Sequence, residues 1–159
     1  MLDWSEIVLR VGAATLIGGA IGLNRDLHHK SAGVRTLGLV SLMSAAITLG
    51  TAEIASLGHG THVVTQVVQG LLTGVGFIGA GVIVHGAKSQ KVHGLTTAAA
   101  IWSATGLGVL CAYGLWPLIV VSAGLVLALL TVGGHVEKWL HGALAGDKPD
   151  MPDKPPPSG

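Results

Sequence analysis

Hydrophobic residues fill this chain in long blocks, with neither the alternation of strands nor the narrow stripe of a surface helix. The longest block, Gly94 to Gly134, contains no Asp, Glu, Lys or Arg. It is about twice the ~20 residues that cross a bilayer's hydrocarbon core as a helix. Near its middle, Ala112-Tyr113-Gly114-Leu115-Trp116-Pro117 gathers turn formers and interfacial aromatics. The block therefore predicts a helical hairpin: one crossing, a tight turn and a return. The same reading predicts five spans in all, over Trp4–Leu23, Val34–Leu57, Val63–Val84, Gly94–Ala112 and Trp116–Val136. The expected fold is all-α, a polytopic bundle of about five transmembrane helices occupying residues 1–142. Residues 143–159 hold five of the six prolines, mixed with Asp and Lys, and are expected to form a disordered tail.

Basic residues set an orientation. Arg25, Lys30 and Arg35 surround the first connection, Lys88 and Lys91 lie in the third, and Lys138, Lys148 and Lys154 follow the last span. The second and fourth connections have none. Cytoplasmic loops carry the excess of Lys and Arg, so the N-terminus is expected outside and the C-terminus in the cytoplasm. The first span is preceded by Asp3 with no basic residue before Arg10, unlike a cleaved signal peptide. It is expected to stay as an anchor.

Composition narrows the function. Charged residues are 11% of the chain, against ~25% in soluble domains. A net charge of +1 gives no footprint for nucleic acid, and a single cysteine, Cys111, permits no intramolecular disulfide. Glycine is abundant instead, 25 residues. In the third span Gly70, Gly74 and Gly81 fall on one helical face, with Gly76 and Gly79 nearly opposite. Gly18 and Gly22 continue a small-residue stripe from Ala14 in the first. Small residues let helix backbones approach closely, which drives association where lipid supplies no hydrophobic force. Two small faces predict a central third span. The stripes serve packing within one monomer or a contact between copies, and a homo-oligomer is expected.

Charge inside a span is costly and therefore informative. Glu6, Arg10, Glu53, Gln66 and Gln69 fall at similar depth near the outer side. They predict either a polar site for a cation or partner, or snorkelling side chains with one ion pair. Glu6 stands at i−4 to Arg10, a favourable helical spacing. On the inner side, Arg25, Asp26, Arg35, Thr36, Thr96 and Thr97 form a second group. Asp26 is expected to pair Arg25, Arg35 or Lys91, and Thr96 or Thr97 to cap the fourth helix. The alternative is loop charge that only sets topology. His28-His29 and His59-Gly-Thr-His62 carry weak metal-ligand spacing without a nearby Cys or carboxylate, so no metal site is expected. Gly74-x-Gly76-x-x-Gly79 imitates a dinucleotide fingerprint, but no strand precedes it. No nucleophile and base are spaced for catalysis, so no enzyme and no resident cofactor are expected, with Mg²⁺ left as a ligand or signal.

Several segments together resemble the MgtC/SapB family of bacterial membrane proteins. They are Gly18-Gly-Ala-Ile-Gly-Leu-Asn-Arg-Asp26, Ala32-Gly-Val-Arg-Thr36, the stretch from Val68 through Gly-Val-Gly-Phe-Ile-Gly-Ala-Gly81 to Ile83, and Val92-His-Gly-Leu-Thr-Thr-Ala-Ala-Ala-Ile-Trp102. The resemblance runs from about Glu6 into the fifth span. It implies a helical domain of a bacterial inner membrane, linked to magnesium homeostasis and, in some members, to virulence. It also implies action on other membrane proteins, ATP synthase among them, or transport of Mg²⁺ or another small solute. Three features depart from the family. Asn24-Arg25-Asp26 stands where Glu-Arg-Glu is usual, Gln66 stands where Arg is frequent, and the Pro-rich tail replaces a C-terminal cytoplasmic domain of larger members.

Overall fold

The computed structural model describes residues 2–59, 62–85 and 93–144. It is all-helical over these residues. The helices are α1 (Trp4–Leu27), α2 (Val34–Ile54), α3 (His62–His85), α4 (Leu95–Tyr113) and α5 (Trp116–Leu144). Each is long and apolar enough to cross a membrane. The helix of the second span ends at Ile54 and continues only as a kinked segment, Ala55–His59, in which Gly58 takes φ +105°. The first span continues to Leu27 and the fifth to Leu144, so Ala143 and Leu144 belong to a helix. The rest of the expected tail lies outside the described residues.

Small residues recur every fourth position on two helices, and these rows meet a third. Ala14, Gly18 and Gly22 lie buried on α1, and Ala100, Ala104, Gly108 and Ala112 on α4. Between them α2 presents Leu37, Ser41, Ser44, Ala45 and Thr48, all buried. A residue every four positions stays on one helical face, so each row is a flat strip on which a neighbour can lie close. A Cβ on Gly18 would come 2.5 Å from the Leu37 carbonyl oxygen, and one on Gly108 would overlap the Ser41 carbonyl oxygen. The backbones of α1 and α4 thus rest directly on α2.

The third span is not central, contrary to the sequence expectation. α4 is: it touches all four other helices, whereas among the described residues α3 meets α2, its kinked extension and α4, and α5 meets α4 and α1. Gly79 does pack on α4, 3.3 Å from where a Cβ would meet Ala98. A Cβ on Gly70, Gly74, Gly76 or Gly81 would meet nothing within 4 Å among the described residues. Two small faces allow close approach on both sides but do not supply it: α3 meets α2 and α4, yet only Gly79 of these five glycines lies close against a neighbour among the described residues. Between α3, α4 and α5 an open apolar groove of about 370 Å³ runs past Val68, Trp102, Gly106 and Val126.

Placing methyl groups tests this packing. Gly108→Ala should lower detergent-solubilised stability by ~1–3 kcal/mol through overpacking against backbone. Gly74→Ala should be neutral or stabilising by up to ~1 kcal/mol through helix propensity. Thermal melting of the purified protein measures both, and equal losses would contradict the arrangement.

Candidate functional site

The two polar groups expected from sequence lie at opposite ends of the bundle, each built around an arginine. At one end, Arg10 on α1 donates from Nε to Glu6 Oε2 at 2.9 Å and from Nη1 to the Ala112 carbonyl at 2.8 Å. Ala112 lies in the last turn of α4, whose final carbonyls lack helical partners. The turn closes in the two-bond pattern of a Schellman motif, Gly114 N–H to Cys111 O and Leu115 N–H to Leu110 O. Gly114 takes φ +67°, and a Cβ there would stand 3.2 Å from Arg10 Cζ. Glycine thus suits the left-handed turn and leaves room beside the guanidinium. A cation at a helix C-terminus is also favoured by the helix dipole.

Of the remaining members, the two amides lie apart from this pair. Glu53 lines a groove of about 450 Å³ between α1 and α2, with Leu2, Trp4, Ile7 and Leu49 among its walls. Gln66 and Gln69 are exposed on α3, which makes no contact with α1 among the described residues. The expected five-residue set is therefore one tight pair, one groove residue and two outward amides. Equal depth along a span fixes only one coordinate; the direction around the bundle divided the set.

At the other end, Arg25 is 2% exposed. Its Nε and Nη2 donate to the Ser31 carbonyl at 3.3 and 3.0 Å, and Nη2 also donates to Thr97 Oγ1 on α4. The Arg25 carbonyl accepts from His28 and Lys30 N–H. One residue thus closes the α1–α2 connection on itself and ties it to α4. The connection is tightly bent: His29 and Ala32 take φ +51° and +62°, conformations uncommon for residues with a side chain. Asp26 does not pair Arg25. Its Oδ2 accepts the Val34 N–H at 2.9 Å, satisfying the first orphan donor of α2. Gly33 is required there, because a Cβ would overlap the Asp26 carboxylate.

The hydroxyls also differ from expectation. Thr97 is buried and serves Arg25 instead of capping α4, and Thr96 is exposed. The N-cap position belongs to Gly94, at φ +92°, close to the Val82 carbonyl. Arg35 and Thr36 are exposed on the first turn of α2. Lys91 and the side chain of His59 lie outside the described residues. His28 Nδ1 lies 2.7 Å from the Asn24 carbonyl. Sequence reasoning missed the α4 row that centres the bundle, although its four-residue spacing was visible.

The profile of the MgtC family matches residues 11–139. The chain belongs to the MgtC family. It is 39% identical over 140 residues to Protein SrpB of Synechococcus elongatus, a match covering 83% of this chain and 76% of the relative. It is 35% identical over 132 residues to YhiD of Escherichia coli K12, whose name proposes a magnesium transporter, covering 80% and 60%. It is 38% identical over 105 residues to Protein MgtC of Brucella abortus, covering 66% and 42%. The last two relatives are thus considerably longer than the part they share with this chain. No solved structure matches. Family membership and five apolar helices make this a multi-pass membrane protein.

The arginine contacts give a graded expectation. Arg10→Ala removes a charge-assisted pair and a carbonyl cap, and should cost ~1–3 kcal/mol. A double-mutant cycle of Glu6 with Arg10 should show coupling, whereas Arg10 with Gln66 should be additive within ~0.5 kcal/mol. Melting in one detergent would measure both cycles, and coupling between Arg10 and Gln66 would reinstate the larger outer site.

Proposed function

We propose that this protein is a non-enzymatic regulator or adaptor of a bacterial inner membrane, linked to magnesium homeostasis, that acts through helix–helix contact with partners, itself included. The observation that carries this reading is the seam between α1, α2 and α4. Gly18 and Gly108 bring the backbones together, filling the space a solute would need to pass between these helices. The arginines at its two ends are engaged in holding helix ends and a connection. Contact surface is left on the outer helices, where Gly70, Gly74, Gly76 and Gly81 of α3 lie open among the described residues. Mg²⁺ enters as a signal or ligand. Its preference for octahedral oxygen coordination finds few carboxylates here: within the spans only Glu6, Glu53 and Asp26 are acidic among the described residues.

The charge distribution supports an outside N-terminus and a cytoplasmic Arg25 end. Leu57 and Lys30 are exposed at opposite ends, so an impermeant thiol reagent applied to intact cells should label Leu57→Cys and spare Lys30→Cys. The reverse pattern would invert the topology.

Transport of Mg²⁺ or another small solute is the second reading. It draws on the name of the YhiD relative and on the acidic wall that Glu53 gives the α1–α2 groove. Proteoliposomes loaded with a Mg²⁺ indicator decide between the two. The adaptor reading expects flux at the level of empty vesicles, and protein-dependent flux abolished by Glu53→Gln would replace it with transport. Crosslinking in native membranes, with ATP synthase as the first candidate suggested by the family resemblance, would identify the partner.

A further inference from the structure

Arg25 is buried, yet its hydrogen-bond partners are neutral: the Ser31 carbonyl and the Thr97 hydroxyl. No hydrogen bond from its Nη1 is seen among the described residues, and the adjacent Asp26, whose Oδ2 accepts the Val34 N–H, forms no ion pair with it there. A guanidinium remains charged in proteins, and a buried charge without a counter-charge is costly. The surroundings add positive potential. Lys30 and Arg35 are exposed nearby in the chain and supply it; the helix dipoles do not, because α2 and α4 begin at this end while α1, α3 and α5 finish there. The depth is specific as well. Arg25 follows Trp4 by roughly 30 Å at ~1.5 Å per residue, about the hydrocarbon thickness of a bilayer. It therefore lies at headgroup level when Trp4 lies at the opposite interface.

We propose that Arg25 is the centre of an anion site that takes a phosphate oxyanion, supplied by the headgroup of an anionic phospholipid. Ser31 and Thr97 hold two guanidinium nitrogens and leave Nη1 to donate to the phosphate oxygen, a charge-assisted bond. Lys30 and Arg35 attract the headgroup without fixing it. Bound lipid would join α1, the α1–α2 connection and α4 through a single counter-charge.

The test uses the full chain in phosphatidylcholine nanodiscs with increasing phosphatidylglycerol, reading retained lipid by native mass spectrometry and stability by melting. Wild type should retain phosphatidylglycerol and melt higher with it. Arg25→Gln should weaken retention about ten-fold, the equivalent of one hydrogen bond to a charged group. Arg35→Gln should weaken it by no more than about three-fold, as expected of a screened surface charge. If Arg25→Gln does not fold, Thr97→Val replaces it, because it keeps the charge while removing one bond that orients it; it should weaken retention and shrink the rise in melting point that phosphatidylglycerol gives over phosphatidylcholine alone. Equal retention by wild type and the variants, or an Arg35→Gln loss as large as that of Arg25→Gln, would overturn the site. Inorganic phosphate that displaces the lipid and stabilises wild type in pure phosphatidylcholine would make the free ion the ligand and overturn the lipid assignment.

Discussion

Everything in this bundle depends on how closely three backbones approach. In a bilayer, lipid tails are as apolar as leucine, so burial of hydrocarbon against hydrocarbon gains little. What remains is dispersion, which falls off within a fraction of an ångström. The four-residue rows of Ala and Gly on α1 and α4 remove the side chains that would hold helices apart, and α2 fills the gap with Ser41, Ser44 and Ala45. Two of the buried hydroxyls turn back to their own helix, Ser44 to the Val40 carbonyl and Thr105 to that of Ile101, whereas Ser41 and Thr48 have no hydrogen-bond partner among the described residues. Bulk at Gly18 or Gly108 would act on backbone, which cannot rotate away.

The arginines finish what the seam begins. Helix ends leave carbonyls and amides without partners, a serious cost near lipid. Arg10 answers the C-terminus of α4, and Asp26 answers the N-terminus of α2. Arg25 stabilises the strained connection between α1 and α2 and fastens it to α4. Charges that a hydropathy reading marks as anomalies thus serve the ends of the helices, at the depths where water and headgroups begin. This division leaves α3 and α5 as outer elements. Phe77 is 84% exposed beside the open glycines of α3, a face suited to lipid or to another helix.

The sequence by itself determined the number of spans, their approximate limits and the helical class. These follow from the length of uncharged blocks against the thickness of a bilayer, a one-dimensional comparison. It also determined the Glu6–Arg10 pair, because i and i+4 are neighbours on any helix, and the turn at Gly114. The family motifs at Asn24–Asp26 and Gly94–Thr97 marked two segments that the fold then brought together. Tertiary structure alone decided which helix is central, that Thr97 answers Arg25 across the bundle, and that Gln66 and Gln69 turn away from Arg10. Periodicity gives each helix its faces but not the neighbour each face meets. Glycines on α3 and α4 look alike along the chain, and only the packing of whole helices shows that Gly108 lies against a backbone while Gly74 lies open.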